Sequence, residues 1–321
     1  MDTPVNIFSC SAFSMVKVSK DVFEVLSKHV DTKLRLGYFR PSECSGTAII
    51  ICNPCRQMIY IYNALKKLSR IKNYIFYITV EGYIQKGFLP QVQFLKEHTL
   101  VTPSHYVKMR LEEQDFHVED VIPHGVKHFG EPKHSNPKTL GYIAGYLQRK
   151  YPKYGIKAIV KANVKPYLIT TRNNPFIRYF NVISLDEYND SKVTDDFINA
   201  FYRLIGFYLN LSDSEGFGIT PLEALAFGTP VIAPEIPPLV EHLPDFTFWV
   251  QLTGNKWYEK FGMDILIEHY EYDSSDMVDK ILEALQLKDS EYYELSKKSI
   301  EFAKKYDIHK VYTRFLKILG V

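Results

Sequence analysis

The strongest constraint on the fold is a repeating alternation of short apolar, β-branched or aromatic runs with stretches of helical apolar spacing. Val5 to Phe8 reads as a strand, after which Val22, Val25, Leu26 and His29 fall on one helical face. Gly46 to Cys52 and Tyr74 to Val80 are strand-like, with the helical stretch Gln57 to Leu68 between them. Leu100-Val101, the helix-like Tyr106 to Gln114, and Val118 to Ile122 continue the pattern. Such alternation predicts an α/β fold: parallel sheets covered by helices on both faces.

Near residue 130 the pattern is interrupted by the polar, proline-bearing stretch Gly130 to Pro137, and then it restarts. Strand Leu140 to Ala144, helix Gly155 to Ala162, and strands Tyr167 to Thr171 and Val182 to Leu185 follow. Helix Asp195 to Ile205 and strands Phe207 to Leu211 and Pro230 to Ala233 come next. Asp276 to Leu287, Glu291 to Lys305 and Ile308 to Leu319 read as three closing helices, the last with a core-facing stripe. At 321 residues the chain exceeds one average domain. The expectation is an N-terminal domain over 1–133, a C-terminal domain over 134–305, and a terminal helix, 306–321, packing back on the first.

The charges nearly cancel at +2, which gives no whole-chain reason to expect nucleic-acid binding. No apolar run is long enough to cross a bilayer and no secretory pattern opens the chain, so a soluble, cytoplasmic protein is expected. Cys52-Asn53-Pro54-Cys55 follows a strand-like run and precedes a helix-like one, the context of a thiol redox pair. The simpler reading is two small buried residues at a strand end. Cys10 and Cys44 do not add the second close pair that a structural zinc site wants.

The most informative stretch is Ser214 to Ala233, SEGFGITPLEALAFGTPVIA. Thr220-Pro221-Leu222-Glu223 has the form of a capping box, with threonine at the cap, proline at the first helical position and glutamate three residues on. Gly228 is placed to end that helix. Glu215 has no such structural role, and it precedes Gly216-Phe217-Gly218, whose backbone can approach a ligand closely. Those amides and the N–H groups of the next helix form an anion site. A carboxylate on either side suits sugar hydroxyls, so a ligand with phosphate in the middle and hydroxyls at both ends is predicted.

Glu215-Gly216-Phe217-Gly218 through Glu223-Ala224, followed by Gly228-Thr229-Pro230-Val231-Ile232-Ala233, resembles the E-x7-E region of GT-B glycosyltransferases. It looks like the large retaining group often called family 4. The resemblance implies two Rossmann-like domains with parallel sheets facing an interdomain cleft. It also implies that Glu215 contacts the transferred sugar and Glu223 the ribose, with the amides of Phe217, Gly218, Ile219 and Thr220 on the donor sugar and diphosphate. More weakly, Val121-Ile122-Pro123-His124-Gly125-Val126 is similar to the family's I-P-N-G-V segment, Ser104 to its serine after the preceding strand, and Ala144-Gly145 to the start of its G-R-L segment. His124 and Gly145 thereby become substrate-binding candidates. The family's phosphate-binding arginine and lysine fall on Tyr146 and Tyr154 here, so Arg149, Lys150, Lys153 and Arg172 are the candidates to replace them. In the first domain the usual Gly-rich loop is replaced by Ser9 to Ser14. Glu81, after the run Tyr77 to Val80, is the candidate to orient or deprotonate an acceptor hydroxyl.

The expected activity is retaining hexosyl transfer from a UDP- or GDP-sugar to a hydroxyl of a glycan, lipid or protein, with Glu215, Glu81 and Lys153 as catalytic residues. No metal or cofactor is implied, nucleic acid is not a partner, and peripheral membrane contact stays open. The alternative is a nucleotide-sugar-binding module without catalysis. Asp213-Ser214-Glu215 offers paired carboxylates for a metal only superficially, because it opens a Gly-rich loop. No G-x-G-x-x-G follows an early strand, which argues against a dinucleotide enzyme. His105, His117 and His242 stand isolated, as packing or surface residues do.

Overall fold

The computed structural model describes residues 4–145, 147–171, 173–184 and 194–321. By its internal contacts the chain divides into two units. The first is Met1–Lys127 with Tyr258–Glu268 and Tyr306–Val321, and the second is His128–Trp257 with His269–Lys305.

The first unit contains β1 (Val5–Ser9), α1 (Phe13–Leu26), β2 (Thr32–Arg35), β3 (Ser45–Cys52), α2 (Arg56–Leu68), β4 (Arg70–Ile78), β5 (Gly82–Ile84), β6 (Thr99–Thr102), α3 (His105–Glu112) and β7 (Asp120–Val121). Six strands form one sheet in the order β2-β1-β3-β4-β6-β7, and every neighbouring pair is parallel. Ile49, Ile50 and Ile51 are all fully buried. β1 and β3 are buried almost along their whole length, as inner strands of a covered parallel sheet are.

The second unit repeats the architecture. It contains β8 (Leu140–Ile143), α4 (Lys153–Lys161), β9 (Tyr167–Ile169), β10 (Asn181–Ser184), α5 (Asp195–Leu204), β11 (Phe207–Leu209), α6 (Ile219–Ala226), β12 (Val231–Pro234), α7 (Pro237–Val240) and β13 (Phe248–Val250). The sheet order is β10-β9-β8-β11-β12-β13, again parallel throughout. This is the doubly wound order of dinucleotide-type folds, whose strand sequence reverses between β8 and β11.

A hairpin of β14 (Leu252–Phe261) and β15 (Ile265–Tyr272) follows, and it is absent from the sequence-based expectation. Its residues 258–268 belong to the first unit. There Ile265, Leu266 and Ile267 pair antiparallel with Ile84, Tyr83 and Gly82. Glu268 is fully buried and accepts from Arg110 Nε at 2.8 Å, Tyr106 at 3.1 Å and Tyr258 at 3.2 Å. The carboxylate finds its cation on α3, far away in sequence, so a boundary drawn from local composition at 133 has no means of capturing it.

α8 (Ser274–Gln286) and α9 (Asp289–Ala303) cover the second unit, and α10 (Ile308–Tyr312) and α11 (Arg314–Leu319) lie in the first. The expected single helix Ile308 to Leu319 is therefore broken at Thr313, although Ile308, Val311, Tyr312 and Phe315 are buried as its stripe predicts. His29 is another correction: α1 ends at Leu26, and His29 stands exposed in the turn that follows. Among the described residues no helix is long and apolar enough to cross a membrane. Cys52 is buried at the end of β3 as the simpler reading has it, but it is bonded to Cys10, leaving Cys44 and Cys55 as free thiols.

Candidate active site

In open α/β sheets a crevice forms beyond the carboxyl ends of the two strands where strand order reverses, because their loops leave in opposite directions. In the second unit those strands are β8 and β11, held in register by Leu140 opposite Phe207 and Gly141 opposite Tyr208. The loop after β8 carries Gly145 and a short 3-10 turn, Gln148–Lys150. The loop after β11 runs from Asn210 to Gly218. The fold thus brings Arg149 and Lys150 against Glu215.

Glu215 is 7% exposed. Its carboxylate is paired with the Lys150 ammonium, and Arg149 Nη1 lies 3.8 Å from its other oxygen. Burial alone would raise this carboxyl, but the charges of Lys150 and Arg149 outweigh it and hold the group below its ordinary value. Arg149 is also fixed by its backbone and tip: its carbonyl accepts from Asp213 N at 3.1 Å, and Nη1 donates to the Ser214 carbonyl at 2.9 Å. A carboxylate ionised in place and two cations form the chemical core of this site.

Behind Glu215, Asp213 anchors the turn. It is 2% exposed and accepts from His269 Nδ1 at 2.8 Å and from the Tyr154 hydroxyl at 2.6 Å. Burial and the adjacent Asp213 charge push the Tyr154 phenol far up, so it serves only as a donor. The indole of Trp257 stacks on His269 with ring centroids 5.0 Å apart. Sequence reasoning missed this cluster, because Tyr154, His269 and Trp257 are remote from Asp213 along the chain and no local pattern links them.

The start of α6 differs from the capping-box expectation. The cap residue is Gly218, in the left-handed region at φ 84°, which has no side chain of its own to close the helix. Thr220 instead accepts from the Tyr208 hydroxyl at 2.8 Å, and Glu223 Oε2 accepts from Tyr202 at 2.9 Å. Both side chains turn to tyrosines of the neighbouring β11 and α5. The glycine is required sterically as well, since a Cβ there would lie 2.4 Å from Leu239 Cδ2. α6 thus begins beside Glu215, with its first backbone N–H groups at that end.

Phe217 is buried under this loop and stacks on His242 at 3.8 Å. His242 Nε2 is 3.3 Å from the Gly218 carbonyl, which can only accept, so this nitrogen carries the proton. Burial lowers the imidazole to about 4, leaving it neutral near neutrality. His242 is thus the packing residue expected, with the added task of holding Gly218.

The remaining candidates fall elsewhere. A Cβ at Gly145 would meet nothing within 4 Å, and Lys153 is exposed at the first position of α4. His124 lies in the first unit, buried, with Nδ1 3.0 Å from the Tyr77 hydroxyl. Ser104 caps α3 by accepting from Val107 N. Glu81, also in the first unit, is half-buried just past β4, and its carbonyl accepts from Glu268 N at 2.9 Å. Tyr146 and Arg172 lie outside the described residues.

Residues 191–255 match the family described as glycosyl transferases group 1. Along its length the chain is 26% identical, over 352 residues, to "Uncharacterized glycosyltransferase 335" of Sulfolobus islandicus rod-shaped virus 1, covering 97% of this chain and 98% of that one. Among solved structures it resembles Anabaena HepE in complex with UDP and glucose, with TM-score 0.67, 10% identity and 99% of each chain covered. It also resembles sucrose-phosphate synthase from Thermosynechococcus elongatus, with TM-score 0.69, 11% identity, and 99% and 98% of the two chains covered. At these identities the likeness defines the fold, GT-B. The matched family segment, the glycosyltransferase-named relative and the shared fold together support one enzyme class for this chain, a glycosyltransferase.

Proposed function

We propose that this glycosyltransferase moves a hexosyl group from a nucleoside-diphosphate sugar to a hydroxyl acceptor with retention at the anomeric carbon. The observation that carries the reading is the buried Glu215, paired with Lys150 and Arg149 beside the start of α6. In this reading the Lys150 and Arg149 cations turn from Glu215 to the donor diphosphate. They and the helix terminus stabilise the charge that develops as the glycosidic bond breaks. Glu215, released from the ion pair, accepts hydrogen bonds from the transferred sugar. Glu223, on α6, holds the ribose. Glu81 stays the acceptor-side candidate of the first unit. No step calls for a metal. UDP is the first nucleotide to try, because the solved HepE complex contains UDP and glucose.

The test begins with thermal unfolding in the presence of UDP, GDP or ADP. A nucleotide at roughly 100 times its dissociation constant should stabilise the protein by about 2.7 kcal/mol. Labelled donors of the stabilising base are then offered with a panel of sugar and lipid hydroxyl acceptors. Glu223→Ala should weaken nucleotide binding, whereas Lys150→Met and Glu215→Ala should each lower kcat by on the order of 100-fold or more. Unchanged nucleotide binding and turnover in all three variants would falsify the site. Binding without turnover in the wild type across the whole panel would instead favour a binding module.

A further inference from the structure

The second unit uses its switch point for the donor site, and the first unit has an equivalent one. Its sheet order, β2-β1-β3-β4-β6-β7, reverses direction between β1 and β3. These strands pair in parallel with Ser9 opposite Ile51, so the residues that follow each leave the sheet side by side. Cys10 is the first residue after β1. Cys52 ends β3, and Cys55 is the cap residue of α2. Three of the chain's four cysteines therefore meet at the one place in this sheet where α/β proteins form a ligand crevice.

Their geometry is specific. Cys10 and Cys52 are joined, and both are nearly or fully buried. The Cys55 thiol is partly exposed and lies 3.5 Å from Cys10 Sγ, towards which its S–H is directed as the free member of the pair. The loop is pinned beside this pair, since Ser11 N and Oγ donate to Gln57 Oε1 at 3.0 and 3.2 Å. A third sulfur at contact distance from one end of a disulfide is the arrangement of thiol–disulfide exchange.

We propose that Cys10, Cys52 and Cys55 form an exchange site at the carboxyl end of the first sheet. The Cys55 thiolate attacks Cys10 Sγ, the Cys10–Cys52 bond breaks, and the electron pair leaves on Cys52, which takes up the proton that Cys55 released. One disulfide and one thiol are present before and after, so no external oxidant or reductant enters. The result is a change of address: the loop after β1 is tied either to the end of β3 or to the start of α2, and the free thiol moves from a partly exposed position to a buried one. Backbone N–H groups of Gln57 and Met58 favour the Cys55 thiolate, opposing the larger effect of its burial.

The site is tested on the full-length oxidised chain by incubation in mildly alkaline buffer, acid quenching, denaturation, labelling with N-ethylmaleimide and mass-spectrometric mapping. In the wild type, label on Cys52 should rise with incubation time while Cys10 stays unlabelled, because Cys10 is bonded in both forms. The Cys55→Ser variant, which has no third sulfur, should keep Cys52 unlabelled and gives the background. Wild-type Cys52 labelling equal to that background at every time overturns the proposal. A second variant, Cys52→Ser, is treated with diamide after its fold is checked by circular dichroism. Cys10 and Cys55 should then protect each other as a new disulfide, and labelling of both in the folded variant also overturns the proposal.

Discussion

Glu215 shows how much of this site rests on a single buried charge. Removing one partner of a buried ion pair costs about 3–5 kcal/mol, since the other is left uncompensated, so Glu215→Gln should lower the melting temperature as well as activity. Its carboxyl is held below the ordinary value in the folded protein. The stabilisation is therefore present above the unfolded carboxylate value, near pH 4.3, and is lost as pH falls through the lower folded one. Urea titrations should show the gap between wild type and Glu215→Gln narrowing below about pH 4. His242 acts in the same sense for the opposite reason. Its folded value is about 4 against an ordinary 6.5. The unfolded chain takes up the proton first, so stability falls between those limits by roughly 3 kcal/mol. His242→Phe keeps an aromatic ring on Phe217 and should flatten that slope, and an unaltered slope would place the proton uptake at another group. Glu215 was legible from sequence because a carboxylate before Gly-Phe-Gly lacks a local structural use. Asp213 was not, because what makes it an anchor is His269, Tyr154 and Trp257 arriving from other elements.

α6 is bounded by two left-handed glycines with different tasks. At its end the Gly228 N–H donates to the Leu225 carbonyl and the Thr229 N–H to the Ala224 carbonyl, the closing pattern of a Schellman motif. Gly228 has φ 66°, and a Cβ there would lie 2.4 Å from Ser296 Oγ of α9. Gly228→Ala should cost at least about 2 kcal/mol by thermal unfolding, from the backbone term and the displaced serine, while leaving KM for the donor unchanged. Gly218→Ala should instead raise donor KM as well as lower stability, because it moves the amides beside Glu215. Equal kinetic effects of the two would mean that α6 acts only as a packing element. The end of this helix could be read from sequence, since a glycine after a run of good helix formers has few other uses. Its beginning was misread. Thr-Pro-Leu-Glu has the chemistry of a capping box, but Tyr208 and Tyr202 compete for the same two side chains and win.

Across the molecule, the two parallel sheets were legible through strands such as β1, β3, β8 and β12, which are buried along their length and appear as largely apolar runs, whereas β2 is half-exposed, carries no such run and was missed. The hairpin β14–β15 was not legible either. Apart from Leu252, the residues of β14 are exposed, and its mixed polar and aromatic sequence has no buried face to impose alternation. What ties residues 258–268 into the first unit is Glu268, and Arg110 is its charged partner at 2.7–2.8 Å. Arg110→Met should therefore destabilise the first unit by about 3–5 kcal/mol and speed hydrogen exchange in β5 and β15, with little change in β8 to β13. Uniform deprotection of both sheets would contradict that assignment. The bond between Cys10 and Cys52 also acts on the unfolded chain. It spans a sequence separation of 42 residues, which restricts the disordered ensemble enough to favour folding by about 4 kcal/mol at room temperature. Moving the tie to Cys55 lengthens that span only to 45, which alters the entropic gain by less than about 0.1 kcal/mol. The disordered chain is thus indifferent to which tie is made, so the choice between them rests with the folded crevice.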